Sequence, residues 1–275
     1  MAITNMISSV WSSRLLEGLE KSLVFGRQSG VIGTEYEGEI RNEGDRVHIH
    51  SFNDLTIGTY TRNTTTISYE LLTDARQTLL IDQSKFFAFK VDDLDAAQMK
   101  PKVVDAATGR ASYQLAETAD RYLAGLHSGI TNFTATSQAT SANIYQKLVE
   151  TKVKLGELNV PQEGRFIIMP PWVAGLALQN GTFLAASAES ALNGAIGLVA
   201  GFDVLVSNNV PTTGSAPVVS HLVAGHSSGW TFAQQIADVE GIRLEGSFAD
   251  GIRGLHLYGA KVIAPDRLHV LRVNP

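Results

Sequence analysis

"IDQSKFFAFKVDDLDAAQ", residues 81–98, changes character halfway along. Its first half gathers Phe86, Phe87 and Phe89, the composition of a strand that packs on a pleated, half-buried surface. It then stops at Asp92, Asp93 and Asp95. Asp92 or Asp93 is a good N-cap, because a short carboxylate accepts from the orphan N–H groups of a first helical turn, and Asp95 adds negative charge where those groups favour it. The stretch therefore reads as a strand that hands the chain to a helix.

Downstream, Pro101 fits a fresh helix start. Val103, Val104, Ala107, Ala111, Leu115, Ala119, Tyr122, Leu123 and Leu126 continue an apolar stripe to Gly129. Roughly 27 residues rising 1.5 Å each give a helix about 40 Å long, more than a compact domain usually wants. The aspartates do not form a calcium loop, since an EF-hand needs a glycine at its sixth position and a distal glutamate, and neither follows.

Upstream, Glu37 to Lys90 reads as β: "RVHIH", "LTIGTY", "TISYELL" and "QTLLID" alternate or cluster β-branched and aromatic residues, with "NEGD", "FND" and "TRNTT" as turns. Few large apolar residues lie between Arg41 and Arg62, so this hairpin needs another surface to lie against. Ahead of it, Ile3, Met6, Ile7, Val10, Trp11, Leu15, Leu16, Leu19 and Leu23 recur at helical spacing up to Gly26. That segment packs on its own core or docks on a neighbour. Glu17 and Glu20 weigh against a transit peptide.

After the low-complexity "TNFTATSQATSAN" a mixed unit follows. It reads as a helix (Ile144 to Leu155), a strand "RFIIMP", a helix with "WVAGLAL" after Pro171, a Gly-rich "GAIGLVAGFDVLVSNNVP", a strand "SHLVAG" and a helix "WTFAQQIADVE". Three strands close the chain, "GIRLEGSF", "GLHLYGAKVIAP" and "RLHVLRV", and are expected to return to the first unit. The fold class is α+β.

Composition removes whole classes of function. The 275 residues, 44% hydrophobic and 18% charged, suit a folded protein with an ample core. A net charge of -5 without a basic run argues against a dedicated nucleic-acid reader, though not against enclosing nucleic acid. The absence of cysteine excludes disulfides, thiolate zinc sites and cysteine nucleophiles. No apolar run reaches the roughly 18 residues of a membrane span. No secretory order opens the chain, so a cytoplasmic site of synthesis is expected and the sequons at Asn63, Asn132 and Asn180 carry no glycan.

One motif suggests chemistry. Gly225-His226-Ser227-Ser228-Gly229 matches the nucleophile elbow G-x-S-x-G between an expected strand and an expected helix, with Asp238, Asp250, His256 and His269 downstream as triad partners for Ser227. Against a hydrolase, only 46 residues follow Gly229 and no HGGG-like oxyanion loop precedes it. "GLHLYGAK" at 254–261 has one residue too many for a Walker A loop and reads as strand. His48 and His50 share a strand face without a third metal ligand, and Gly194, Gly197 and Gly201 lack dinucleotide-loop spacing. No catalytic, cofactor or metal residue is assigned.

The order of arm, thin hairpin, long helix, mixed unit and closing strands resembles the major capsid protein of tailed phages, the Hong Kong ninety-seven phage-type fold that encapsulin shells share. "EYEGEI" with "GDRVHI", "LLTDARQTLLIDQSKFFAFKVDDLDAAQ", "GFDVLVSNNVP" and "FADGIRGLHLYGAKVIAPDRL" carry the resemblance, spread over residues 35–268. It implies an N-terminal arm at 1–34, an extended loop with flanking strands at 35–90 that overlaps an adjacent subunit, and a peripheral domain with the spine helix at 91–140. It further implies an axial domain at 141–250 and closing strands at 251–275 returning to the peripheral domain.

The function implied is structural, not enzymatic: copies assemble as pentamers and hexamers into an icosahedral shell around double-stranded DNA, in the virion, after assembly in the host cytoplasm. Some members weld subunits through a lysine-asparagine bond, but no lysine lies between Lys21 and Lys85, so non-covalent contacts are expected. There is no room before the loop for a fused scaffolding domain, so a scaffold is expected as a separate protein or as a segment already removed, with portal and decoration as separate proteins. An encapsulin-like compartment and a hydrolase using Ser227 are the alternatives.

Overall fold

A computed structural model describes residues 23–26, 30–34, 46–52, 57, 59–62, 69, 74–92, 102–180, 197–244 and 249–275. The opening stretch forms β3 (Gln83–Asp92), and the strand ends at the first of the three aspartates. Asp93, Asp95 and Pro101 lie outside the described residues, as do residues 1–22 of the expected arm.

β3 is the edge of a three-stranded antiparallel sheet with β10 (Trp230–Arg243) and β11 (Ala249–Val262), in the order β10-β11-β3. Ahead of it, β1 (Arg46–Phe52) and β2 (Asp74–Leu80) pair antiparallel, with Arg46 opposite Leu80 and Phe52 opposite Asp74. The "RVHIH" alternation sends Val47 and Ile49 to one face, where they are buried with Leu79 and Ile81 against Ala233 and Leu257 of the three-stranded sheet. The ribbon thus borrows the core it lacks. Gly259 makes the approach possible, since a Cβ there would sit 2.3 Å from the Leu80 carbonyl oxygen.

The long helix, α1 (Lys102–Gly125), holds 24 residues, about 36 Å, and a 3-10 turn continues it over Leu126–Gly129. Leu115, Ala116, Ala119 and Leu123 form its buried stripe. Beyond it, β4 (Ser137–Gln138), α2 (Ile144–Glu157), β5 (Arg165–Met169), α3 (Pro171–Gln179), β6 (Leu198–Val199), β7 (Phe202–Val206), β8 (Thr212–Thr213), β9 (Val219–His226) and β12 (Leu268–Asn274) follow. Their strands make a seven-stranded sheet ordered β4-β12-β9-β5-β7-β6, with β8 on β9. β5 is buried at every position. Its Arg165 is accommodated by the carbonyls of Pro161, Val160 and Lys152, at 2.8, 2.6 and 3.3 Å.

One expectation is corrected. "WTFAQQIADVE" is not a helix but the first eleven residues of β10. Its Ala and Gln residues favour a helix locally, yet pairing with β11 from Trp230 opposite Val262 to Arg243 opposite Asp250 outweighs that preference. Of "GIRLEGSF", Gly241 to Arg243 are strand as the last residues of β10, and 245–248 lie outside the described residues. Of the remaining closing strands, β11 pairs with β3, whereas β12 stays in the seven-stranded sheet beside β9 and β4.

One continuous core joins both sheets, and Trp230 stands at its centre. Its ring stacks on Phe166 at 5.8 Å, meets Phe25 edge-on at 6.3 Å, and its Nε1 donates to the Val31 carbonyl at 2.6 Å. Leu23, Phe25, Val31 and Ile32, at the end of the expected arm, are therefore buried in this chain's own core.

Candidate assembly surface

The residues that suggested chemistry do not converge. Ser227 opens a 3-10 turn, Ser227–Gly229, that links β9 to β10, so the strand-to-helix elbow does not form. The serine that meets the histidine is Ser228: its N–H donates to His226 Nδ1 at 3.2 Å, its Oγ lies 2.8 Å from the same atom, and Arg267 donates to that Oγ at 2.9 Å. The flanking glycines are there for packing. A Cβ on Gly225 would lie 2.5 Å from the Arg267 carbonyl oxygen, and one on Gly229 would lie 2.5 Å from Leu268 Cγ.

The expected triad partners are engaged elsewhere. His256 Nε2 meets Gln234 at 3.3 Å, His269 Nε2 meets Thr134 at 2.7 Å, and Asp250 accepts from Arg243 at 3.1 Å. Burial pushes both imidazoles down to about 4, so both are neutral at pH 7. The side chain of Asp238 lies outside the described residues. "GLHLYGAK" runs inside β11, and His48 sits exposed on β1 with Nδ1 3.4 Å from Thr78 Oγ1. Among the described residues no three His, Cys, Asp or Glu side chains gather as a metal site.

A buried carboxylate went unnoticed in the sequence. Asp120, 1% exposed near the C-terminal end of α1, accepts from the backbone N–H groups of Val24, Phe25 and Gly26 at 2.9, 2.6 and 3.3 Å, and from Asn209 at 3.1 Å. Burial raises its pKa while these donors pull the other way. The signal was present: an aspartate on the apolar stripe between Ala119 and Leu123 needs a partner. It ties the incoming N-terminal segment to the helix and to the loop after β7.

Several large apolar side chains face outward. Between β1 and β2, Ile57 and Tyr69 are 96% and 93% exposed, with Tyr60 beside them in sequence at 66%. Phe86 on β3 is 77% exposed, and Tyr113 on α1 and Leu198 on β6 also face solvent. Ile57, Tyr60 and Tyr69 all come from the one connection between β1 and β2, and apolar groups left exposed in this number are candidates for cover by a partner. A groove of about 640 Å³ runs between β3 and α1, lined by Phe86, Phe87 and Phe89 on one side and Arg110, Gln114 and Leu115 on the other.

The pattern of the phage capsid protein family matches residues 56–273. The chain belongs to that family. Solved structures agree with it. A structure described as Mycobacterium phage Che8 is 28% identical, covers 90% of each chain and superimposes with a TM-score of 0.74. The capsid of cyanophage P-SCSP1u is 15% identical over 85% of this chain and 84% of its own, with a TM-score of 0.69. That of Ralstonia phage GP4 is 13% identical over 93% and 89%, with a TM-score of 0.67. No curated protein sequence matches the chain. The capsid protein is thus a structural subunit that assembles with copies of itself into a phage shell, and the exposed apolar groups belong to a body built to be tiled.

Proposed function

We propose that this capsid subunit forms pentamers and hexamers of an icosahedral head that encloses double-stranded DNA and is held by non-covalent contacts. In this reading 1–34 serve as arm, 35–90 as overlapping loop, 91–140 as peripheral domain and 141–250 as axial domain. The observation that carries it is the ribbon, anchored at its base by Val47, Ile49 and Leu79 yet presenting Ile57, Tyr60 and Tyr69 to water further along. A lone globule gains nothing from that arrangement, whereas a neighbour that covers those side chains gains about 25 cal/mol per Å² of apolar surface buried.

The net charge of -5 suits a container from which DNA must later leave, because tight phosphate binding would hold it. Without a lysine between Lys21 and Lys85 the loop has no amine for a weld. Separate scaffolding, portal and decoration proteins complete the head, and assembly takes place in the host cytoplasm. The family match favours the virion over an encapsulin-like compartment.

The test is electron microscopy of the purified protein beside an Ile57→Asp/Tyr69→Asp variant. Closed particles from the unsubstituted protein and folded, unassembled chains from the variant are expected. Equal particles from both would remove the loop from the assembly contacts.

A further inference from the structure

We propose that His127 and His221 form an acid-sensitive latch that fastens the end of α1 to the seven-stranded sheet, closed while both rings are neutral and released when protons are taken up. His127 lies in the 3-10 turn, Leu126–Gly129, that continues α1. His221 lies on β9, between β12 and β5 in the sheet. The two ring centroids stand 4.7 Å apart with their planes tilted by 39°. The contact is ring against ring and not a hydrogen bond, since His221 Nε2 meets Thr213 Oγ1 on β8 at 2.8 Å and its Nδ1 is buried without a partner. His127 is set in place by its own turn, its Nδ1–H donating to the Ala124 carbonyl at 3.0 Å. Neutral imidazoles pack in this way without opposing charge, whereas two imidazolium rings at that distance repel.

The surroundings leave a proton on His221 uncompensated. The residue is 6% exposed, and a protonated ring needs an acceptor for Nδ1–H that the site lacks. From the turn, the group facing it is His127; from β12, it is Arg272, its register partner; from β8, only the neutral Thr213. Residues directly opposite in an antiparallel pair stand on one face with Cβ atoms about 5 Å apart, which keeps the Arg272 side chain beside the ring. Its guanidinium lies over the Phe133 ring, 3.8 Å from the centroid. No carboxylate among the described residues offsets these cations at His221, whose pKa is held below 6.5 by burial first, then by His127 and Arg272.

Once the turn lifts and the ring meets water, the imidazole protonates at about 6.5. The closed latch is therefore undisturbed above about pH 6.5 and loses ground as pH falls below it. β8, two residues long and tied to the same ring through Thr213, should loosen with the turn. The latch belongs to a single chain, so it goes beyond the shell reading and does not depend on it.

Hydrogen exchange of the purified protein, at about pH 7.5 and about pH 5.5 and corrected for the intrinsic rate at each, tests the latch. Amides in 126–130 and 211–221 should lose several-fold protection at the lower pH, up to the limit of about tenfold that one imidazole supplies over one pH unit, and regain it on return, while β5 holds. Unchanged protection in both segments, or an equal loss in β5, overturns the proposal. His221→Gln, with no ring to titrate, should lose at most about half as much. His127→Gln, at a half-buried position that folding tolerates more readily, removes the other ring and should likewise cut the loss in 126–130 to about half. A loss of full size in either folded variant overturns the latch, and if His221→Gln fails to fold the His127 variant decides.

Discussion

Asp120 shows how much one side chain holds. Its carboxylate takes the backbone N–H groups of Val24, Phe25 and Gly26, and a fourth donor from Asn209. Asp120→Ala leaves those donors buried and unpaired, and should lower unfolding free energy by on the order of 3–5 kcal/mol in urea titration. Asp120→Asn keeps an acceptor and should cost less. At the same scale, His256 sets a pH dependence. Its imidazole is held neutral down to about 4, whereas an unfolded histidine protonates near 6.5, so the unfolded state takes up the proton first. Stability from this group is complete above pH 6.5 and is lost as pH falls towards 4, at about 1.4 kcal/mol for each pH unit below 6.5. Stability measured from pH 7 to 4 should fall less steeply in His256→Gln.

At the scale of elements, the ribbon and the sheet beneath it are one unit. Val47 lies 3% exposed on Ala233 and Leu257, so Val47→Asp puts an unpaired charge into that contact. Hydrogen exchange should quicken across β1 and β2 while β5 and β9 keep their protection, and particles should no longer form. The elements readable from sequence were those whose signal is local. β3, α1, α2, β5 and α3 each show their own period or boundary residues, and they stand within a few residues of expectation. β10 was not readable, because "AQQIAD" has helical composition and its strand state comes from pairing along its length with β11. The elbow motif misled for a related reason. Gly225 and Gly229 answer to Arg267 and Leu268, some forty residues later, and a motif read alone does not show that.

For the whole molecule, the question is what closes the surface left open. A shell held without welds should fall to the single-chain band in unheated denaturing detergent, whereas covalent rings would persist as a ladder.

By itself the sequence determined the α+β class, the strand-to-helix junction after residue 90, the long helix and the want of a basic stripe or thiol chemistry, all properties of neighbouring residues or of simple counts. Tertiary structure alone decided that Leu23, Phe25, Val31 and Ile32 belong to the core, that Ser228 and not Ser227 meets His226, that β12 stays with β9, and that β3 is an edge among the described residues. The first and last depend on segments that pair across more than a hundred residues, and the others on β9 and β12 meeting some forty to fifty residues apart, and such pairing leaves no periodicity to read.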